Sequence, residues 1–138
     1  MKKNYILDAC ALIAALKQED GAMIVDELYS EAAKGNADLI INKVNLLEVY
    51  YNFYREDGKI YADTILKSIT KSIVIVSNIN FSILKEAGRI KTDFRRISLA
   101  DSIALAETVY RKGYLVTADH HEMDALDKAK AVKFCWIR

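Results

Sequence analysis

Proline is missing altogether from the 138 residues, and glycine occurs only five times. A chain so poor in both has few breaks, which excludes a linker-rich or disordered protein. Cysteine occurs twice, as Cys10 and Cys135, far apart and without metal-ligand spacing. They read as buried thiols in a reducing compartment. The two histidines, His120 and His121, are adjacent and have no third ligand at a metal spacing. No apolar run reaches the length of a membrane span, about 20 residues. Charge of either sign is not in excess: 20 basic and 19 acidic residues leave +1. Without a global basic field, any contact with nucleic acid needs a local patch. There is no P-loop and no G-x-G-x-x-G stretch.

What is present is a compact pattern, 52% apolar, predicted as a single domain over residues 1–138. A chain of this size buries about two-thirds of its unfolded surface. Met1-Lys2-Lys3 followed by apolar residues resembles the start of a signal peptide, but Asp8 interrupts the apolar stretch. The segment reads instead as a strand, Tyr5 to Leu7, followed by a helix from Ala9 to Leu16, in a cytoplasmic protein. Helical spacing continues over residues 22–34, about 44–56, 60–72, 82–94, 99–111 and about 121–130. Strands are predicted at 38–42, 72–77, 114–117 and 132–137. The run Ser72-Ile73-Val74-Ile75-Val76-Ser77 is the clearest, its consecutive β-branched residues suiting burial on both faces. Leu99, Ile103, Ala106 and Tyr110 form one stripe of the sixth helix. Alternating β and α with about five strands predicts an α/β fold with a mostly parallel sheet and helices on both faces.

Four acids occupy comparable places in that alternation. Asp8 follows the first strand, and Glu48 lies early in the helix after the second. Asp101 is in the first turn of the helix opened by Ser98, and Asp119 follows the strand ending at Thr117. Each has a plain alternative as a helix-start residue: Asp8 as an N-cap, and Asn45-x-x-Glu48, Ser98-x-x-Asp101 and Asp119-x-x-Glu122 as cap-then-acid patterns. Three of them lie next to the carboxyl edge of a parallel sheet, where ligands bind, and the fourth, Asp101, lies at a helix start that can be folded onto that edge. Carboxylates held close repel and take up protons unless a cation intervenes. All-oxygen ligands suit Mg²⁺ or Mn²⁺, ions that activate water and stabilise a phosphoryl group. Lys85, Arg89, Lys91, Arg95 and Arg96 form a basic run leading to Asp101, either a phosphate-binding patch or a solvated helix face. Tyr50, Tyr51, Phe53 and Tyr54 crowd the Glu48 helix, where core and dimer packing competes with base stacking.

The segments Ile6–Ile13, Asn45–Val49, Ile97–Ala106 and Leu115–Asp119 resemble the four acidic motifs of PIN domains, in order and over nearly the whole chain. The likeness is nearest to the VapC-type toxins of toxin–antitoxin pairs. The resemblance implies a PIN-like three-layer sandwich and an endoribonuclease dependent on Mg²⁺ or Mn²⁺, which hydrolyses RNA phosphodiester bonds through metal-activated water. It further implies a homodimer held inactive by a cognate antitoxin, with no membrane association. Carried over by position, Asp8, Glu48, Asp101 and Asp119 form the catalytic quartet. Asp8 and Asp101 bind the metal, with Glu48 and Asp119 ligating directly or through water, and Thr117 supports the site. Lys91, Arg95 and Arg96 are the candidate RNA contacts.

Two departures stand out: Ala9 replaces a frequent hydroxyl residue, and His120-His121-Glu122-Met123-Asp124 replaces a further acid and aromatic. Glu122 or Asp124 is available as a substitute acid. Rival readings are a non-catalytic RNA- or protein-binding module of the same fold and a housekeeping RNA-processing nuclease. A haloacid-dehalogenase-like phosphatase needs a second Asp where Cys10 stands. A receiver domain needs an Asp where the third strand ends in Ser77-Asn78.

Overall fold

The computed structural model describes residues 2–128 and 132–138. Five strands, β1 (Lys3–Leu7), β2 (Ala37–Asn42), β3 (Ile75–Ser77), β4 (Tyr114–Thr117) and β5 (Phe134–Trp136), form one sheet in the order β3-β2-β1-β4-β5. Every pairing is parallel. The helices are α1 (Ala9–Lys17), α2 (Ala22–Ala33), α3 (Lys43–Asp57), α4 (Lys59–Thr70), α5 (Phe81–Asp93), α6 (Leu99–Tyr110) and α7 (His120–Lys128). The end of the last helix predicted from the sequence, at residues 129–130, lies outside the described residues.

The period of two along each strand divides the core into two layers. Leu7, Leu39, Ile41 and Val116 face one side and pack with α1 to α4, through Leu12, Val25, Leu46 and Phe53. Ile6, Ile40 and Leu115 face the other and pack with α5 to α7, through Ile83, Ile90, Leu105 and Leu126. The result is the predicted three-layer α/β sandwich, with an entirely parallel sheet. Chain order reverses between β1 and β4, because α1 leaves β1 on one face while α6 enters β4 from the other. The crevice outside the carboxyl ends of these two strands is therefore the place where this topology receives a ligand.

Three expectations change. The 72–77 run forms only a three-residue strand, on the sheet's edge, with Ile75 45% exposed rather than buried on both faces. β-branched composition cannot distinguish a central strand from an edge one. On α6, the supposed apolar stripe is wrong at both ends: Leu99 and Tyr110 are exposed, while 102–108 are buried throughout. A helix buried on nearly all sides carries no readable stripe. Finally, α3 begins at Lys43 with Asn42 as its cap, so Asn45 lies inside the helix instead of opening it.

Candidate active site

Asp8 terminates β1 in extended backbone (φ −82°, ψ 173°), and its Oδ1 accepts the Ala11 amide at 2.8 Å. The cap reading is thus correct and does not compete with a functional one, since a carboxylate can accept more than one bond. Asp8 is only 2% exposed. Burial pushes its carboxyl up from 3.8 to about 6; bonds from the Thr117 hydroxyl and Ala11 amide pull it down, and the Asp119 and Glu48 charges push it further up. Those opposing effects place three carboxylates within electrostatic reach of one another.

Thr117, fully buried at the end of β4, joins two of them. Its hydroxyl bonds to Asp8, and its Oγ1 accepts the Asp119 amide at 3.0 Å. Glu48 is half-buried on α3 and accepts the Tyr51 hydroxyl at 3.4 Å. Asp101 is half-buried in the first turn of α6, where its amide donates to the Ser98 cap at 3.1 Å.

The residue that ties these helix starts together is Asn45, with no exposed surface. Its Oδ1 accepts the Ala9 amide at 3.2 Å, next to Asp8. Its Nδ2 donates to the Ala100 carbonyl at 3.1 Å, next to Asp101, and to Asn42 Oδ1 at 3.2 Å. Glu48 follows it by one turn. One amide thereby fixes the starts of α1, α3 and α6, each carrying a candidate acid. Its sequence signal was an Asn three residues before an acid, which reads equally well as a cap. Only the tertiary partners reveal the difference.

The surrounding candidates sort by their partners. Arg89 is occupied by Glu86 and Asp93, and the Lys91 ammonium donates to the Arg95 carbonyl at 2.7 Å. Arg95 and Arg96 are exposed in the loop between α5 and α6. His120 stacks on Trp136 at 4.0 Å between centroids and bonds to Asp124, so that acid is engaged on the surface. Glu122 lies outside the described side chains. Burial, then the Asp8 charge, pushes the Cys10 thiol up to about 11, which makes it a poor nucleophile.

The donors converging on the crevice are carboxylate oxygens, suited in chemistry to a hard divalent cation. Among the described residues, no three His, Cys, Asp or Glu side chains already form a closed metal-holding group. The fit rests on a carboxyl that burial, and then two like charges, drive towards protonation, a state that a divalent cation relieves.

A parallel α/β domain with a buried carboxyl, Asp8, at its topological switch point and the Asp119 and Glu48 charges within electrostatic reach defines the class. The PIN domain model matches residues 5–129, and the chain belongs to that family. No curated protein matches the sequence. Among solved structures, the fold is similar to a DNA-bound VapBC from Salmonella typhimurium, at 12% identity, 100% coverage of both chains and a TM-score of 0.76. It is also similar to VapBC2 from Rickettsia felis, bound to a promoter DNA fragment, at 17% identity, with 96% of this chain and 97% of that one covered and a TM-score of 0.75. A third is VapC20 from Mycobacterium tuberculosis, a sarcin-ricin loop cleaving toxin, at 16% identity, with 88% and 94% covered and a TM-score of 0.66. Among the described residues, no helix is long and apolar enough to cross a membrane.

Proposed function

We propose that this protein is an endoribonuclease dependent on Mg²⁺ or Mn²⁺, acting as the toxin of a toxin–antitoxin pair in the cytoplasm. The observation that carries the reading is Asp8: a buried carboxyl raised to about 6 and facing the Asp119 and Glu48 charges at a sheet's carboxyl edge. Burial with like charges is unfavourable for a structural residue and appropriate for a cation site.

Asp8 and Asp101 would hold the ion, and Glu48 and Asp119 would ligate it directly or through water. A divalent ion there supplies water activation and stabilises charge on the phosphoryl group. Thr117 keeps one Asp8 oxygen occupied while the Ala11 amide fixes the carboxylate plane, so Asp8 presents a constant orientation. Glu48 or Asp119 would accept the proton released as water attacks in line, and the departing 3′-oxygen would take a proton from solvent, leaving a 5′-phosphate and a 3′-hydroxyl. The 2′-hydroxyl is not required as a nucleophile, so preference for RNA comes from groove contacts.

The toxin role draws support from the structural likeness to VapBC complexes. Two surfaces support partners. Leu84 and Leu99 are exposed beside a cavity of about 400 Å³ between α5 and α6, suited to a second copy in a homodimer. Leu16, Phe53 and Tyr61 share a cleft of about 570 Å³ between α1, α3 and α4 with the charged Lys17, Glu56 and Asp57; this mixed surface, flanked by exposed Ile60, suits a cognate antitoxin segment.

The decisive experiment is cleavage of a mixed single-stranded RNA pool by antitoxin-free protein with Mg²⁺, Mn²⁺ or EDTA, beside Asp8→Asn and Asp101→Asn. Metal-dependent cutting lost in both variants is expected. Persistent RNA binding without cutting, together with no divalent-ion binding by calorimetry, would identify a non-catalytic module instead.

A further inference from the structure

Six arginines occur in the chain, and four are engaged. Arg55 lies over the Tyr51 ring, Arg89 is held by Glu86 and Asp93, Arg111 by Glu107, and Arg138 by the Asp20 carbonyl. Among the described residues, the guanidinium groups of Arg95 and Arg96 have no partner. These two are consecutive and exposed, and they line one cavity of about 340 Å³ with Phe94, Ile97, His121 and Leu126. Ile97 and Leu126 are buried and Phe94 is half-buried, so the cavity has an apolar floor and a polar, cationic rim.

Its location matters more than its size. One wall is the loop 94–97, directly before Ser98, the cap of the helix that bears Asp101. The other is α7, which starts immediately after Asp119. The cavity thus lies between the two segments that deliver half of the acidic quartet.

We propose that this cavity is a nucleotide subsite of the RNA substrate, receiving the base next to the scissile phosphate on its apolar floor, with Arg95 and Arg96 on the adjoining phosphates. The assignment rests on the nuclease reading above. A guanidinium is permanently charged, pairs with phosphate through a two-pronged fork and stacks on bases. The volume lies at the lower end of small-ligand sites, roughly 300–1,000 Å³, and suits one base rather than a peptide helix. Two arginines alone would equally attract an acidic peptide; the apolar floor beside a half-buried ring favours a flat heterocycle. The subsite also supplies what the acidic centre lacks, since phosphate contacts position a substrate and base contacts select it.

The test uses labelled single-stranded RNA, with binding measured in EDTA and cleavage in Mn²⁺, comparing the natural protein with the Arg95→Ala/Arg96→Ala double variant. We expect Kd and KM to rise about tenfold or more, as for loss of a stacked and charge-paired nucleotide, with kcat within about threefold. The slope of log affinity against log salt is expected to fall by about 1.4, at roughly 0.7 per phosphate contact on a single strand. Mn²⁺ affinity by calorimetry should not change. Arg95→Lys/Arg96→Lys should restore the salt slope but only part of the affinity. Equal Kd, KM and salt slope in a natural protein that cuts RNA would overturn the subsite. So would loss of binding to a polyglutamate peptide with RNA binding intact, which would assign the arginines to a protein partner. If the natural protein cuts nothing but the double variant still loses RNA binding in EDTA, the subsite stands and the nuclease reading falls.

Discussion

Two carboxylates are buried among the described residues, and their charges are met in opposite ways. Glu107 on α6 has no exposed surface, but the Arg111 guanidinium meets its Oε2 at 2.9 Å, and the Ser77 hydroxyl donates to the same atom. Its charge is neutralised by its own helix, and α6 is thereby attached to the end of β3. Asp8, 2% exposed, receives a backbone amide and a hydroxyl, and its charged neighbours are two further carboxylates. Among the described residues, no ion pair reaches it. A buried charge needs a partner or a coordinated metal. Glu107 has the first within the fold, and on the proposed reading Asp8 takes the second. The difference separates a residue that holds the domain together from one that the domain holds in place.

The largest effect should come from breaking the Asp8 side. Asp8→Asn keeps an oxygen for the Ala11 amide, so the cap and the fold survive. Cleavage should nevertheless fall by more than about a hundredfold, the scale of losing one preorganised charge-stabilising group. Single-turnover assays at saturating Mn²⁺ check this. Activity within about threefold of the natural protein would remove Asp8 from the site.

Next in size is the pH dependence of the metal-free protein. The folded Asp8 pKa of about 6 lies above the ordinary 3.8, so the folded state binds the proton more tightly. Stability from this group is complete below about 3.8 and is lost as pH rises through about 6. The change is about 3 kcal/mol at about 1.4 kcal/mol per unit. In EDTA, Asp8→Asn should therefore gain on the natural protein between pH 4 and 6 and hold the gap above. Denaturant melts across that range measure it. Mn²⁺ should close the gap by stabilising only the natural protein. A gap independent of pH would show that Asp8 does not titrate as its surroundings dictate.

Glu107→Ala tests the opposite member. It leaves Ser77 and Arg111 without their acceptor and should cost about 2 kcal/mol. That is less than for a fully buried pair, because the Arg111 side chain is 31% exposed and water can replace its partner. RNA cleavage and Mn²⁺ affinity should remain within about threefold at temperatures where the variant is folded. A drop in metal affinity would make Glu107 part of the site and erase the contrast with Asp8.

The contrast was only half legible in the sequence. Strand ends are marked by abrupt changes of pattern, Leu7 to Asp8 and Thr117 to Asp119, so the acids at the sheet edge could be read directly. The layers followed from period-two alternation in Ile6-Leu7 and Leu39-Ile40-Ile41. What could not be read depends on pairing between distant elements. Glu107 looks like any exposed helix acid four residues before an arginine, because its burial comes from β3, 30 positions away. The same applies to the basic run: Arg89 and Arg95 share a residue type and a neighbourhood, and only contacts show that one is engaged and the other available. Edge position hid the weakness of β3, and all-round burial hid the orientation of α6.

The finest test of the contrast changes neither carboxylate. Asn45→Ala removes the amide linking Ala9, Asn42 and Ala100 and leaves a buried N–H and a buried carbonyl without their partner. Each such loss costs about 1 kcal/mol or more, so a modest fall in Tm is expected. Metal affinity should fall by a larger factor, about tenfold or more, as when groups that orient metal ligands are removed. A comparably destabilising core change far from the crevice, such as Ile90→Ala, separates the two effects. Both variants should melt earlier in EDTA, but only Asn45→Ala should lose the rise in Tm on adding Mn²⁺. If both keep it, Asn45 is a structural residue like Glu107, and the acids keep their positions without it. If Asn45→Ala alone loses it, Asp8 and Asp101 are held in register by a side chain that carries no charge.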